Sequence, residues 1–130
     1  MQWRFDISPV AASRPRVGKW GAYYTGAYKD FREKASELVY SVIGTERELI
    51  TSPLAVSLEL FVKRPKSTEK KYPRADIDNY TKAVFDVMNG KLWEDDEQII
   101  SMYVTKEWAE KGSEGYFILD ISEQRDKKKK

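Results

Sequence analysis

Nine residues in the middle of the chain constrain its fold more than any others. From Leu54 to Val62, the residues Leu54, Val56, Leu58, Leu60 and Val62 alternate with Ala55, Ser57, Glu59 and Phe61. A period of two turns every second side chain to one face, so the segment predicts a strand packed on one side against a core. Such a strand needs neighbouring strands and a covering layer. Between Ala27 and Ile43, Tyr28, Phe31, Ala35, Leu38, Val39 and Val42 recur at helical spacing, and Gly44 supplies a stop. A second helix, from Ile77 to Asn89, is expected to bury Ile77, Tyr80, Val84, Val87 and Met88, with Asn89-Gly90 ending it. Alternation also predicts strands over Gln2 to Ile7, over Gln98 to Trp108 (Ile100, Met102, Val104 and Trp108 on one side) and over Gly115 to Ser122. Lys111-Gly112-Ser113 reads as the hairpin turn joining the last two. The expectation is an α+β fold: a two-layer domain, a mixed sheet of about four strands with two main helices on one face. An exposed apolar second sheet face would favour a dimer.

With 130 residues there is room for one core, expected over 1–122, followed by a basic, disordered tail over 123–130. Cysteine and histidine are both absent, which excludes thiol chemistry, disulfides, common zinc sites and an imidazole base. No long apolar run or apolar leader is present, so a soluble cytoplasmic protein without membrane contact or organic cofactor is expected. The net charge is only +2, but it is unevenly spread. Ser8 to Tyr24 carries Arg14, Arg16 and Lys19 with no acid, interleaved with Trp20, Tyr23 and Tyr24. Lys63 to Arg74 carries Lys63, Arg64, Lys66, Lys70, Lys71 and Arg74 against Glu69 alone. Those nine cations are the candidate DNA-binding residues, because cations meet phosphates and nearby rings can stack on unpaired bases. The second segment reads as a flexible loop.

Two acid clusters bracket the second helix: Asp76 and Asp78 at its start, and Glu94-Asp95-Asp96-Glu97 beyond its end. The plain reading makes Asp76 a helix cap and Asp78 a first-turn acid paired with Lys82. The alternative is a metal site. The helix is about 20 Å long, and an extended Gly90 to Asp96 would reach back roughly 23 Å. Asp76, Asp78 and one of Asp95 or Asp96 could then meet as hard oxygen ligands suited to Mg²⁺ or Mn²⁺.

The ordered series Asp76-Ile77-Asp78-Asn79, Lys82, Ala83-Val84-Phe85-Asp86 and Trp93-Glu94-Asp95-Asp96 resembles the signature of the RusA-type Holliday junction resolvases. Weaker similarity covers Ser13 to Arg16. The link between helix and Trp93 is one residue shorter than in that family, which leaves Asp95 and Asp96 both open as the third ligand. The resemblance implies a bacterial or phage-encoded homodimer acting on four-way junctions by paired symmetric nicks in recombination and repair. It implies Mg²⁺-dependent catalysis by Asp76, Asp78 and Asp96, with Lys82 aimed at the phosphate or the leaving oxygen. Two other functions stay open: a non-catalytic DNA-binding module, and a metal-dependent nuclease for other branched or duplex DNA.

Overall fold

The computed structural model describes residues 1–24 and 26–124, and the chain through them runs β1 (Gln2–Phe5), β2 (Arg16–Gly18), β3 (Gly21–Tyr23), α1 (Gly26–Ile43), β4 (Leu54–Val62), α2 (Ile77–Met88), β5 (Ile99–Trp108) and β6 (Tyr116–Glu123). Of the tail expected over 123–130, residues 125–130 lie outside the described residues; Glu123 instead ends β6, and the Gln124 amide donates to Pro53 O at 2.8 Å.

The alternating strand is the centre of the sheet. Four strands lie in the order β1-β6-β4-β5, with β4 antiparallel to β6 and parallel to β5, so the sheet is mixed. Leu54, Val56, Leu58, Leu60 and Val62 are all buried beneath the helices. From α1, Tyr28, Phe31, Ala35, Val39 and Ile43 meet them, and from α2, Tyr80, Val84, Val87 and Met88. Phe5 stacks on Phe117 at 5.0 Å between ring centroids, carrying the core to β1. Ile77 and Val42, expected inside, are exposed, because each sits at the margin of its helix's apolar stripe.

The sheet order corrects one expectation. Lys111-Gly112-Ser113 does not close a hairpin: β5 and β6 are not neighbours, and the connection crosses over the end of β4, which lies between them. Local turn residues look the same in both cases; which strand wins the central place is set by long-range packing.

The other sheet face is polar. By register it carries Gln2, Arg4, Ser57, Glu59 and Asp120 around Ala55, Tyr103 and Ile118, with Phe61 stacked on Tyr116 at 4.5 Å and the Arg4 guanidinium over Tyr116 at 3.7 Å. It needs no covering layer. The exposed apolar surface lies instead on β5, at the sheet edge, where Ile100, Met102 and Tyr103 are 66%, 57% and 69% exposed. A register shift opposite Leu54 and Ala55 displaces Ile100 from the strand's alternation. Of the four residues expected on one side, Met102, Val104 and Trp108 share the face of Val56, Leu58 and Val62, and Ile100 does not.

Within the first basic segment β2 and β3 form a separate antiparallel hairpin: Arg16 pairs with Tyr23, and Gly18 with Gly21.

Candidate active site

The first turn of α2 decides between the plain and the catalytic readings of Asp76. The residue stands at the helix N-cap with extended backbone (φ −65°, ψ 142°), yet its side chain makes no capping hydrogen bond. Asp78, in the first turn, has no ion pair among the described residues. Both are exposed. Lys82 turns the other way, its ammonium 3.7 Å from Asp86 Oδ2. Asp86 also accepts the Tyr28 hydroxyl at 3.1 Å, and Arg32 stands 3.5 Å from that hydroxyl. Burial, reinforced by the Asp86 charge and opposed by Arg32, holds the Tyr28 phenol above its ordinary pKa.

The neighbours of this turn are basic or carry basic loops. The Ala12 amide donates to Asn79 O at 2.9 Å, fixing the approach to the β2–β3 hairpin on α2. Lys106 of β5, half-buried, donates to Ala75 O at 2.6 Å and lies over the Tyr72 ring. Sequence reasoning passed over Lys106. Its signal was there: a cation at a position where the alternation Val104, Lys106, Trp108 calls for an apolar residue.

The far end of α2 is built differently. Gly90, at φ +79°, lets the chain reverse at once, its amide donating to Trp93 O at 2.8 Å. Trp93 is fully buried, donates to Asn89 Oδ1 at 2.6 Å, and packs edge-on against Phe85 at 5.6 Å. Asp95 caps the single 3-10 turn Asp96–Gln98: its side chain accepts from the Glu97 amide, while Gln98 returns a bond to the Asp95 amide at 2.8 Å. The Gln98 amide group also donates to Ile50 O and Ser52 O, at the start of β4.

Gly90 to Asp96 is therefore a tight turn rather than an extended return. In one chain, Asp76 and Asp78 lie beside the end of β5, and Asp95 and Asp96 lie before its start. The two clusters are separated by on the order of the helix length, ~18 Å. Among the described residues no three acidic side chains stand close enough to hold an ion together.

The candidate DNA-binding cations divide into groups. Lys63 is tied down, its ammonium 2.7 Å from Glu114 and its amide donating to Ser8 Oγ at 3.0 Å. Arg64 and Lys66 border a hollow with Glu110, Lys111, Gly112 and Ser113. Lys70, Lys71 and Arg74 are exposed and free of ion pairs among the described residues, on a loop held at two points: Trp108 donates to Lys70 O at 2.9 Å, and Pro73 is buried. Arg14 borders a second hollow with Ser13, Ala27 and Tyr28. Arg16 and Lys19 belong to the hairpin. No helix is long and apolar enough to cross a membrane among the described residues.

Comparison with known proteins identifies the family. The sequence profile of the family described as Endodeoxyribonuclease RusA matches residues 6–114, which takes in both acid clusters and both basic segments. An uncharacterized protein, YqaN, of Bacillus subtilis (strain 168) is 30% identical over 132 residues, covering 88% of this chain and 92% of its own length. The family acts on branched DNA junctions in recombination, and its nucleases are generally metal-dependent. This chain belongs to the RusA endodeoxyribonuclease family, the Holliday junction resolvases that hydrolyse phosphodiester bonds in DNA.

Proposed function

We propose that the protein is a Mg²⁺-dependent, homodimeric resolvase that cuts four-way junctions by paired symmetric nicks. The observation that carries this reading is the pair Asp76 and Asp78: exposed carboxylates at a helix start, without a side-chain capping bond and without an ion pair among the described residues, edged by cationic loops. Two like charges so placed repel, and a hard divalent cation relieves the repulsion. The oxygen donors fit Mg²⁺, with Mn²⁺ as a substitute. The cation, when bound, makes a water nucleophilic near neutral pH and offsets charge on the phosphate.

Asp96 completes the ligand set in preference to Asp95, whose side chain already caps the turn. Because one chain holds Asp96 at the wrong end of α2, the third carboxylate comes from a second copy. The exposed apolar edge of β5 supports that arrangement, since an unpaired edge invites another strand. Antiparallel pairing of two β5 edges about Met102 and Tyr103 carries the acids preceding β5 in each copy to the end of β5 in the other. Lys106 and the Asp76 turn lie there, so the incoming acids meet a cation beside the carboxylates they join. A two-fold dimer matches a two-fold junction and gives paired cuts.

Lys82 leaves its exposed pairing with Asp86 to meet the attacked phosphate or the leaving oxygen, so replacing it lowers turnover more than DNA binding. Lys70, Lys71 and Arg74 supply salt-sensitive phosphate contacts. The test compares a mobile four-way junction with linear duplex at equal salt, with and without Mg²⁺, for the unaltered protein and Asp76→Asn. Junction-selective, Mg²⁺-dependent nicking abolished by Asp76→Asn is expected. Equal cutting of both substrates would mean a generic nuclease, and binding without cutting a DNA-binding module.

A further inference from the structure

We infer that the β2–β3 hairpin is a wedge whose Trp20 stacks on the base pair left open at the branch point of the junction. The inference rests on the resolvase reading and adds a base-contacting site that the acids and basic loops do not provide.

The hairpin is a poor structural element and a good probe. Its two strands have three residues each and pair only with one another, outside the main sheet. At the turn Trp20 is 92% exposed, and on the adjoining strand Val17 is 86% exposed. The largest side-chain type in proteins is thus held in water at the tip, with no core to enter. The backbone is made for that shape. Gly21 takes φ +111° after the turn, and a Cβ on Gly18 would stand 2.8 Å from the Tyr23 ring, so glycine there lets Tyr23 lie across the strand pair. Tyr23 stiffens the stem while Trp20 stays free.

The surroundings indicate what the ring meets. Ser8 to Tyr24 contains cations and no acid, and Lys19 carries its ammonium 5.6 Å from the Trp20 ring. An exposed indole beside a cation, in a segment that carries no acid, suits a polyanion with flat apolar faces, which describes DNA. Fully paired duplex hides those faces, whereas a branch point exposes them at the ends of stacked arms, and apolar wedges open base steps in other distorted duplexes. Position agrees. The Ala12 amide is bonded to Asn79 O, one residue past Asp78, so the hairpin springs from the first turn of α2. From Ala12, eight residues reach at most ~26 Å. Trp20 therefore works within several base-pair steps, each ~3.4 Å, of the carboxylates.

The test uses a four-way junction carrying 2-aminopurine at the branch point or, as a control, in the middle of an arm. Fluorescence is read with Asp78→Asn as the uncut background, and cleavage is read in the otherwise native protein. The expected result is a fluorescence change at the branch point and not in the arm. Trp20→Ala should abolish it and lower junction cleavage about tenfold, the loss of one base stack. Trp20→Phe should retain most of both. An unchanged circular dichroism spectrum and thermal midpoint for Trp20→Ala are expected, since the ring touches no core. The wedge is overturned, with the resolvase reading intact, if the unaltered protein cuts junctions and Trp20→Ala matches it in both signals. An equal change on single-stranded DNA overturns the branch-point assignment. If the unaltered protein cuts no junction at all, the resolvase reading falls and the wedge with it.

Discussion

The two ends of α2 carry the same kind of residue and treat it in opposite ways. At the N-terminal end, Asp76 occupies a cap position without capping, and Asp78 stands free of ion pairs among the described residues. At the C-terminal end, Asp95 caps its turn, Gln98 closes the box and Trp93 locks the approach by packing and a hydrogen bond. An acid that satisfies a backbone amide contributes stability through that bond; an exposed acid that satisfies none does not contribute in that way. The contrast distinguishes an aspartate that caps its turn from ones that cap nothing. Under the proposed function Asp96, next to the cap and outside it, joins the second kind.

The largest effect should come from the free acids. Asp78→Asn is expected to lower junction cleavage about 1,000-fold, equivalent to about 4 kcal/mol of transition-state stabilisation, with DNA binding kept. Asp95→Asn should lower it by no more than a few fold and reduce stability by about 1 kcal/mol, as removal of a cap does. Single-turnover cleavage and urea unfolding of both variants would break the contrast if Asp95→Asn proved the more damaging to catalysis.

Trp93→Ala sharpens it from the other end. Emptying that site should cost about 3–5 kcal/mol of stability by denaturant melting, since the ring is wholly buried and bonded to Asn89. Smaller again is the contribution of the loop beside the free acids. Replacing Lys70, Lys71 and Arg74 with alanine should make the slope of log affinity against log salt shallower by about 0.9 for each phosphate the loop no longer neutralises, measured by salt titration of junction binding.

The smallest effect concerns Tyr28, beneath Lys82 and Asp86. Its folded-state pKa is raised above the ordinary 10.0, so the stability it contributes is full below pH 10 and declines as pH rises beyond it. Tyr28→Phe should flatten that alkaline decline in thermal midpoint while losing the hydrogen bond to Asp86 at every pH.

Much of this arrangement was legible in the sequence, and for identifiable reasons. The alternation from Leu54 to Val62 requires one buried face, and β4 has it over the same residues. Asp76 and Asp78 could be singled out because their spacing at a helix start is a local property. The path from Gly90 to Asp96 was not legible. A length argument permits an extended return, and only the left-handed Gly90 with the Trp93–Asn89 bond makes the chain reverse. The crossing of β4 by the β5–β6 connection was hidden for a related reason, since sheet order is decided between segments distant in sequence. The side taken by Ile100 was hidden because a register shift at the start of β5 breaks the alternation there, while Met102, on the expected side, stays exposed because an edge strand can lack cover on that face.

The central claim is that each catalytic centre joins Asp78 of one copy to Asp96 of the other. Mixing two inactive variants, Asp78→Asn and Asp96→Asn, after co-refolding to exchange subunits tests it most directly. In a mixed dimer one centre then carries both lesions and the other none, so the account predicts that nicking of one junction strand returns at about a quarter of the native number of sites. A mixture as inactive as its two components, with mixed dimers verified by mass, would contradict it.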